Sequence, residues 1–253
     1  MKNNLNLNNK NIIITGASSG IGRQCAITFS QFGANIILVA RNKEKLEQTF
    51  NKLNKGNHIT FAQDLTEYDK LEEITNISVG KIGRISGFVH SAGIEMILPL
   101  KGMQPSYYEK MFAINVIAGF EIAKIISKKK YLDEKGASFV FISSVMGILG
   151  QPGRVGYCSS KGALISGVKA MSLELAKKNI RVNCVLPGVV ETEMSNEMFQ
   201  RLSEESKKEI IDMHPLGLGK PEDIANASAF LLSDAAKWMT GSNLIIDGGY
   251  SAR

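Results

Sequence analysis

Seven short apolar runs alternate along the chain with longer segments whose apolar positions recur at helical spacing. Several of these runs, such as Ile12–Ile14 and Phe139–Ile142, are apolar at consecutive positions. Runs of this kind predict strands that are buried on both faces of a parallel sheet. The predicted strands are Asn11–Thr15, Asn35–Ala40, Ile59–Ala62, Gly87–His90, Ser138–Ile142, Arg181–Leu186 and Asn243–Ile246.

The segments between these strands predict connecting helices. Alternation of strands and helices is typical of an α/β protein in which helices cover both faces of a parallel sheet. No repeat or linker divides the chain, so we expect a single domain over residues 1–253, with a doubly wound, seven-stranded parallel sheet. The predicted helices are Ile21–Phe32, Lys43–Asn54, Tyr68–Val79, Tyr107–Lys129, Tyr157–Lys178 and Pro221–Leu232.

The least regular stretch is Glu191–Lys220, which is polar, contains methionines and comes late in the chain. Long segments without a clear pattern are uncommon inside compact domains unless they serve a function. We interpret this stretch as a mobile lid over a substrate cleft.

The composition is that of a globular protein, with 44% hydrophobic and 21% charged residues. The net charge of +6 would suit an anionic partner. The cations are scattered, however, and aromatic side chains do not interleave with them, so nucleic-acid binding is not favoured.

Other features of the sequence predict a soluble, cytoplasmic protein without a metal or a membrane segment. Met1–Lys10 is polar, unlike a signal peptide. No apolar run reaches the roughly 18–20 residues needed to cross a bilayer. Cys25, Cys158 and Cys184 are far apart and lack metal-ligand spacing, as expected of reduced thiols.

A glycine-rich turn, Thr15–Gly22, follows the first strand and opens the first helix. Glycines at 16, 20 and 22 allow the backbone to turn tightly and approach a pyrophosphate, while the helix N-terminus offers free N–H groups. The alternative is an ordinary loop between strand and helix. The strand–turn–helix context favours a dinucleotide site.

This turn resembles the TGxxxGxG motif of the short-chain dehydrogenase/reductase family, and the resemblance extends over nearly the whole chain. Ser91-Ala92-Gly93 lies where the family has Asn-Asn-Ala-Gly, with His90 and Ser91 in place of both asparagines. Further matches are Asp64-Leu65-Thr66, Asn115, Ser144, the YxxxK pair Tyr157 and Lys161, Pro187-Gly188 with Thr192, Pro215-Leu216-Gly217, Pro221–Ala225 and Asp247-Gly248-Gly249.

The resemblance implies a Rossmann-type fold and an enzyme that transfers a hydride between a nicotinamide cofactor and a carbonyl or alcohol substrate. It also implies the residues that bind the cofactor. These are Gly16, Ser18, Ser19, Gly20, Ile21, Gly22, Arg41, Asn42, Asp64, Leu65, Ser91, Ala92, Gly93, Tyr157, Lys161, Pro187, Gly188, Val190 and Thr192.

The end of the second predicted strand favours NADP(H) over NAD(H). An NAD-type enzyme has an acidic residue there to bind the ribose 2′-hydroxyl, whereas this chain has Ala40 followed by Arg41 and Asn42. Arg41 would pair with a 2′-phosphate. The alternative is that Arg41 is a solvated cation at a helix start, and the usual second cation before Gly20 is replaced by Ser19.

Tyr157 and Lys161 lie four residues apart, so they share one helical face. A neighbouring ammonium, with the cofactor's nicotinamide ring close by, lowers the pKa of a phenol from its usual value of about 10, and Tyr157 would then donate its proton to the carbonyl oxygen. Ser144 would hydrogen-bond the same oxygen. The resemblance further implies that Lys161 holds the nicotinamide ribose and that Asn115 supports a water chain to Lys161.

The substrate is less constrained than the reaction. The pattern over Pro215–Ala225 resembles the 3-oxoacyl-(acyl-carrier-protein) reductases, and Lys128-Lys129-Lys130 would suit an acidic carrier protein or be a solvated helix end. Leu173 departs from the basic residue that many carrier-using relatives have. A sugar, polyol or other secondary-alcohol dehydrogenase and a non-catalytic dinucleotide sensor are the alternatives. The candidate substrate-lining residues are Met96, Ser144, Met146, Gln151, Val189 and Met194.

The resemblance also implies a homotetramer. Apolar helix positions at Phe112, Phe120, Leu164 and Leu175 would suit such an interface, or would pack on the sheet instead. His90 is expected to form a hydrogen bond that bridges to the backbone.

Overall fold

A computed structural model describes residues 5–252, so residues 1–4 and 253 of the predicted domain lie outside the described part. Seven parallel strands form one sheet in the order β3-β2-β1-β4-β5-β6-β7. The predicted fold class is therefore confirmed. The strands are β1 (Asn11–Thr15), β2 (Asn35–Ala40), β3 (Ile59–Ala62), β4 (Gly87–His90), β5 (Ala137–Ile142), β6 (Ile180–Pro187) and β7 (Asn243–Ile246).

The helices lie on both faces of this sheet. The predicted helix Tyr107–Lys129 is two α-helices joined by a π-helical turn at Ala113–Ile117. The helices are α1 (Gly20–Gln31), α2 (Lys43–Phe50), α3 (Tyr68–Ile82), α4 (Pro105–Phe112), α5 (Ala118–Ile126), α6 (Val155–Leu175), α7 (Glu193–Phe199), α8 (Glu204–Asp212) and α9 (Pro221–Leu232).

Consecutive apolar residues in a strand divide between two cores because successive side chains point to opposite faces of a sheet. In β1, Ile12 and Ile14 join the core that contains Phe29 of α1 and Ile224 of α9. Ile13 joins the other core with residues of α3, α5 and α6. This double burial explains why β1 reads as an unbroken apolar run.

The apolar helix positions considered for a tetramer contact the core. Leu164 is fully buried, and Phe112, Phe120 and Leu175 pack partly buried against the same cluster. All four side chains therefore pack against the core, and a contribution of these helix faces to a subunit interface stays a prediction.

The late polar stretch contains two helices that the sequence pattern did not predict. Thr192 caps α7 by accepting a hydrogen bond from the Ser195 N–H, and Ser203 caps α8 through the N–H of Ser206. Both helices are short, with seven and nine residues, so neither fills the window of about 11–18 residues over which an apolar period is recognised. That Glu191–Lys220 moves as a lid stays a prediction.

The strand order places a crevice at the carboxyl ends of β1 and β4. The chain runs from β1 outward through β2 to β3, then crosses back to β4 on the other side of β1. In doubly wound sheets, ligands bind at the point where the strand order reverses. The glycine-rich turn follows β1, and Ser91-Ala92-Gly93 follows β4.

Candidate active site

The glycine-rich turn brings three segments of backbone unusually close together. Gly16 has a φ of +68°, and a Cβ added there would lie 2.8 Å from the Ala92 nitrogen. A Cβ on Gly22 would lie 2.3 Å from the Gly16 oxygen. Any larger residue would push the turn away from the strand end, so the glycines keep the start of α1 open toward the crevice.

An anionic side chain already lies at the start of α1. The Glu193 carboxylate accepts a hydrogen bond of 2.9 Å from the Gly20 N–H and pairs with the Arg23 guanidinium at 3.2 Å. A helix N-terminus attracts anions through its free N–H groups and its dipole. The turn therefore fits a phosphate-bearing cofactor, since a carboxylate from α7 makes the same kind of contact.

Neutralising Glu193 is expected to tighten cofactor binding. Because its carboxylate holds the Gly20 N–H and repels a pyrophosphate, Glu193→Gln should lower the Kd for NADPH about two- to fivefold. Fluorescence titration of the purified protein measures this Kd. Glu197→Gln, on the same helix, is the matched control, and a weaker affinity in Glu193→Gln would contradict the expectation.

Two adjoining cavities share Gly16, Ser19 and Gly93 and together follow the crevice. We call them the Arg41 cavity and the Tyr157 cavity. Residues lining the Arg41 cavity include Ser18, Ala40, Arg41, Asn42, Lys45, Gln63, Asp64, Leu65 and Ala92. Residues lining the Tyr157 cavity include Gly20, Ile21, Ser91, Ser144, Tyr157, Lys161, Pro187, Gly188, Val190 and Thr192.

The Arg41 cavity contains a second cation that the sequence reasoning missed. Lys45 lies in the first turn of α2, four residues after Arg41, and lines the same cavity. Asn42 caps α2 by accepting a hydrogen bond from the Lys45 N–H at 2.8 Å. The place of Lys45 in the first turn of the helix that follows Arg41 was the signal that was available. Hydrogen bonds from the Thr66 N–H and hydroxyl lower the pKa of Asp64, which keeps that carboxylate ionised in the cavity.

The three predicted groups of the reaction meet in the Tyr157 cavity. Tyr157 and Lys161 belong to α6, and Ser144 follows β5 in extended backbone. The Lys161 Nζ lies 5.6 Å from the centre of the Tyr157 ring and donates a hydrogen bond of 2.8 Å to the Ile142 carbonyl. A hydrogen bond with Ser144 lowers the pKa of Tyr157. Ser144 and Tyr157 are therefore placed to contact one oxygen atom.

Within the structure the pKa of Tyr157 is nevertheless raised, and the lowering expected with the cofactor beside it stays a prediction. Burial is the largest cause and the charge of Glu95 the second, and together they outweigh the Ser144 hydrogen bond and the charge of Arg154. The ammonium of Lys161 is not among the causes that lower it. The phenol is thus protonated at neutral pH, which is the form that donates a proton during carbonyl reduction.

Burial also lowers the pKa of Lys161, to about 8. The ammonium therefore loses its proton at a lower pH than an ordinary lysine does. We expect kcat/KM for NADPH to be constant below this pKa and to fall about tenfold per pH unit well above it, because this constant reports groups of the free enzyme. Initial rates of ketone reduction between pH 6 and about 10 measure the profile. A profile that stays flat over this range would contradict the assignment.

The Asn115 side chain forms hydrogen bonds with two segments that border the site. Its side-chain oxygen accepts from the Ile94 N–H at 2.8 Å, and its amide donates to the Ile94 carbonyl and the Ser160 hydroxyl, each at 3.0 Å. It lies in the π-helical turn between α4 and α5, a distortion frequent at functional sites. These contacts tie the segment after β4 to α6. A water chain through Asn115 stays a prediction.

His90 makes the backbone contact that was expected of it. Its ring contacts the carbonyls of Ile114 and Asn115 at 3.2 Å and the Thr15 hydroxyl at 2.9 Å. Burial lowers the pKa of His90 to about 4, so the imidazole is neutral at physiological pH. His90 thus links the ends of β1 and β4 to the π-helical turn.

Most of the predicted substrate-lining residues lie in the Tyr157 cavity, namely Ser144, Met146, Gln151, Val189 and Met194. Met96 is the exception. It does not line the cavity, and its neighbour Glu95 does. Side chains that sequence reasoning missed also line it, namely Glu95, Arg154, Glu193, Met198, Ile210, Met213, His214 and Tyr250. Arg154 and Glu193 adjoin recognised motifs, whereas no local signal marks His214 or Tyr250.

Two absences complete the description of residues 5–252. In this range, no group of three or more His, Cys, Asp or Glu side chains is arranged to hold a metal ion. No helix in the same range has the length and apolar character to cross a membrane.

The sequence matches a family model described as Enoyl-(Acyl carrier protein) reductase over residues 16–251. It is 34% identical over 248 residues to a 3-oxoacyl-(acyl-carrier-protein) reductase FabG from Thermotoga maritima, covering 97% of this chain and 99% of that protein. It is also 31% identical over 249 residues to a NAD-dependent glycerol dehydrogenase from Listeria innocua, covering 98% and 96%.

Solved structures of dehydrogenases are also similar to this chain in fold and sequence. A 7α-hydroxysteroid dehydrogenase complexed with NADH and 7-oxo glycochenodeoxycholic acid superposes with a TM-score of 0.91 and 29% identity, covering 97% of this chain and 96% of that one. A short-chain type dehydrogenase/reductase from Mycobacterium marinum gives a TM-score of 0.88 and 28% identity, covering 99% and 98%.

Proposed function

Because the chain belongs to the short-chain dehydrogenase/reductase family, whose members are nicotinamide-dependent oxidoreductases, we propose that it uses NADPH to reduce a carbonyl group at Tyr157. The observation that carries this proposal is the meeting of Ser144, Tyr157 and Lys161 in a cavity that adjoins the glycine-rich turn. Bound NADPH supplies a hydride to the carbonyl carbon.

Residues of this chain bind the cofactor, hydrogen-bond the carbonyl oxygen and donate a proton to it. Arg41 and Lys45 bind the cofactor's 2′-phosphate, and the start of α1 binds its pyrophosphate. Lys161 holds the ribose. The Ser144 hydroxyl donates a hydrogen bond to the carbonyl oxygen, and Tyr157 gives that oxygen its proton as negative charge develops there.

A 3-oxoacyl thioester carried by acyl carrier protein is the first candidate substrate. The relative from Thermotoga maritima supports it. The proposed basic contact is weaker than the sequence suggested, since Lys128 and Lys130 both pair with Glu72, at 2.6 and 3.1 Å. Lys129 is the exposed cation of this trio that makes no such ion pair within the described residues.

A polyol or sugar alcohol is the second candidate substrate class. The glycerol dehydrogenase relative supports it, as does the charged pair of Glu95 and Arg154 in the Tyr157 cavity. A purely apolar acyl chain cannot form hydrogen bonds with such a pair, whereas hydroxyl groups can.

Initial rates under matched conditions separate the candidates. We expect NADPH-dependent reduction of a 3-oxoacyl-carrier thioester, and a slower reaction with the same acyl group on a small thiol. Faster oxidation of glycerol or other polyols with NAD⁺ would favour the second candidate. Tight NADPH binding without turnover of any carbonyl would instead support a non-catalytic sensor.

We also propose a homotetramer in solution. Trp238, Leu216 and Leu173 are 97%, 87% and 77% exposed, and burying apolar surface of this kind between subunits would be favourable. Light scattering measures the mass directly. A monomeric mass at micromolar concentration would contradict the proposal.

A further inference from the structure

A charged pair lies in the Tyr157 cavity and has no part in the proposed proton transfer. Glu95 follows β4, and Arg154 immediately precedes α6, three residues before Tyr157. Their carboxylate and guanidinium form an ion pair, and each side chain is only 13% exposed. The segments that carry them are joined by a hydrogen bond of 2.9 Å from the Leu98 N–H to the Gly153 carbonyl.

Stability alone does not account for this pair. Withdrawing two charges from water costs free energy that their mutual attraction barely offsets, and apolar replacements of similar volume are often neutral or stabilising. The pair lines a cavity beside the reacting groups, where it can contact a bound substrate. It is therefore placed to recognise a polar group of the substrate.

The chemistry of the pair matches one kind of group. A carboxylate only accepts hydrogen bonds and a guanidinium only donates them, whereas a hydroxyl does both. A second Arg154 nitrogen contacts the Met198 thioether sulfur at 3.2 Å. Sulfur is a weak acceptor, so a hydroxyl oxygen in its place would form a stronger hydrogen bond with the guanidinium. A hydroxyl can thus donate to Glu95 and accept from Arg154 without breaking their ion pair.

The other charges of the cavity do not favour an anionic substrate. The carboxylates of Glu95 and Glu193 balance the cations Arg154 and Lys161 along its lining. A substrate carboxylate beside Arg154 would also face Glu95, and like charges at close range repel. Part of the remaining wall is apolar, and it is formed by Met146, Met194, Met198, Ile210 and Met213.

We propose that Glu95 and Arg154 form a polar subsite selecting carbonyl substrates with a hydroxyl close to the reacting carbon and an otherwise apolar body. The hydroxyl has to be close because both side chains line the cavity of Tyr157 and both of their charges act on its phenol. The inference rests on the proposed reduction at Tyr157, and it counts against a 3-oxoacyl thioester, which carries no hydroxyl beside its ketone.

Binding to a complex that cannot turn over tests the subsite apart from the reaction. The Tyr157→Phe protein, saturated with NADP⁺ so that no hydride is available, is titrated calorimetrically with three ketones that share a hexyl chain. They carry a methyl, a hydroxymethyl or a carboxylate group on the other side of the carbonyl. We expect the hydroxymethyl ketone to bind at least about tenfold more tightly than the methyl ketone, as for a hydrogen bond to charged groups.

Removing both charges together avoids leaving one of them buried and unpaired. In the same background, Glu95→Gln with Arg154→Met should reduce the preference to about threefold or less. The matched control is Glu134→Gln with Arg84→Met, which removes an exposed pair of 2.8 Å.

Equal binding of the methyl and hydroxymethyl ketones, or tighter binding of the keto acid, would overturn the inference. Turnover of the methyl ketone by the native protein tests the proposed function separately. If the native protein reduced none of the ketones while the hydroxyl preference in binding persisted, the proposed function would fail and the subsite would stand.

Discussion

Replacing Tyr157 by Phe is expected to lower kcat for ketone reduction about a thousandfold, within the range that general acid catalysis contributes. The phenol is the one group in the Tyr157 cavity that combines a bound proton at neutral pH with a position beside Ser144 and Lys161. Phe keeps the ring and its packing, so the affinity for NADPH should stay within about twofold. Single-turnover rates and cofactor titration measure the two quantities.

The raised pKa of Tyr157 adds a directional test to this prediction. Reduction needs the protonated phenol, whereas alcohol oxidation needs the phenolate, so the oxidation rate should rise with pH through the alkaline range. Tyr131→Phe is the control, because Tyr131 is also buried but bonds to Glu72 far from the cavity. An unchanged kcat in Tyr157→Phe, with cofactor bound, would refute the proposed proton transfer.

Replacing Arg41 by Ala is expected to raise the Kd for NADPH roughly 10- to 100-fold, the value of hydrogen bonds to a charged group. The Kd for NADH should change less than about threefold, because NADH lacks the 2′-phosphate. Ala40 leaves the end of β2 without the acidic residue that would bind a ribose hydroxyl, and Arg41 and Lys45 line the same cavity. Calorimetric titration with both cofactors measures the ratio.

Substituting two lysines at the start of α2 distinguishes a specific contact with NADPH from a general effect of positive charge on its binding. Lys45→Ala should weaken NADPH binding by a smaller factor than Arg41→Ala, since an ammonium lacks the paired donors of a guanidinium. Lys43→Ala is the matched control, because Lys43 starts the same helix but does not line the Arg41 cavity. If NADPH lost no more affinity than NADH in Arg41→Ala, the cofactor preference proposed here would be wrong.

The strands and the longer helices of the fold could be predicted from the local pattern of apolar and polar residues. The strand β1 was predicted with its observed bounds because buried parallel strands leave an unbroken β-branched run. The helices α7 and α8 were missed because they have only seven and nine residues, too few for an apolar period to be recognised within a polar stretch. The π-helical turn at Asn115 was also missed, since one extra backbone residue leaves no mark on composition.

The sequence by itself determined the place of the glycine-rich turn and the grouping of Ser144, Tyr157 and Lys161, because each depends on spacing within one segment or on a motif with fixed placement relative to a strand end. Their roles in cofactor binding and in the reaction stay proposals. Only the tertiary structure decided which charges surround that trio. Glu193 contacts Gly20 across 173 positions of the chain, and Glu95 meets Arg154 across 59. The direction of the Tyr157 pKa was decided in the same way. Burial and a distant carboxylate set it, and both exist only once the chain has packed.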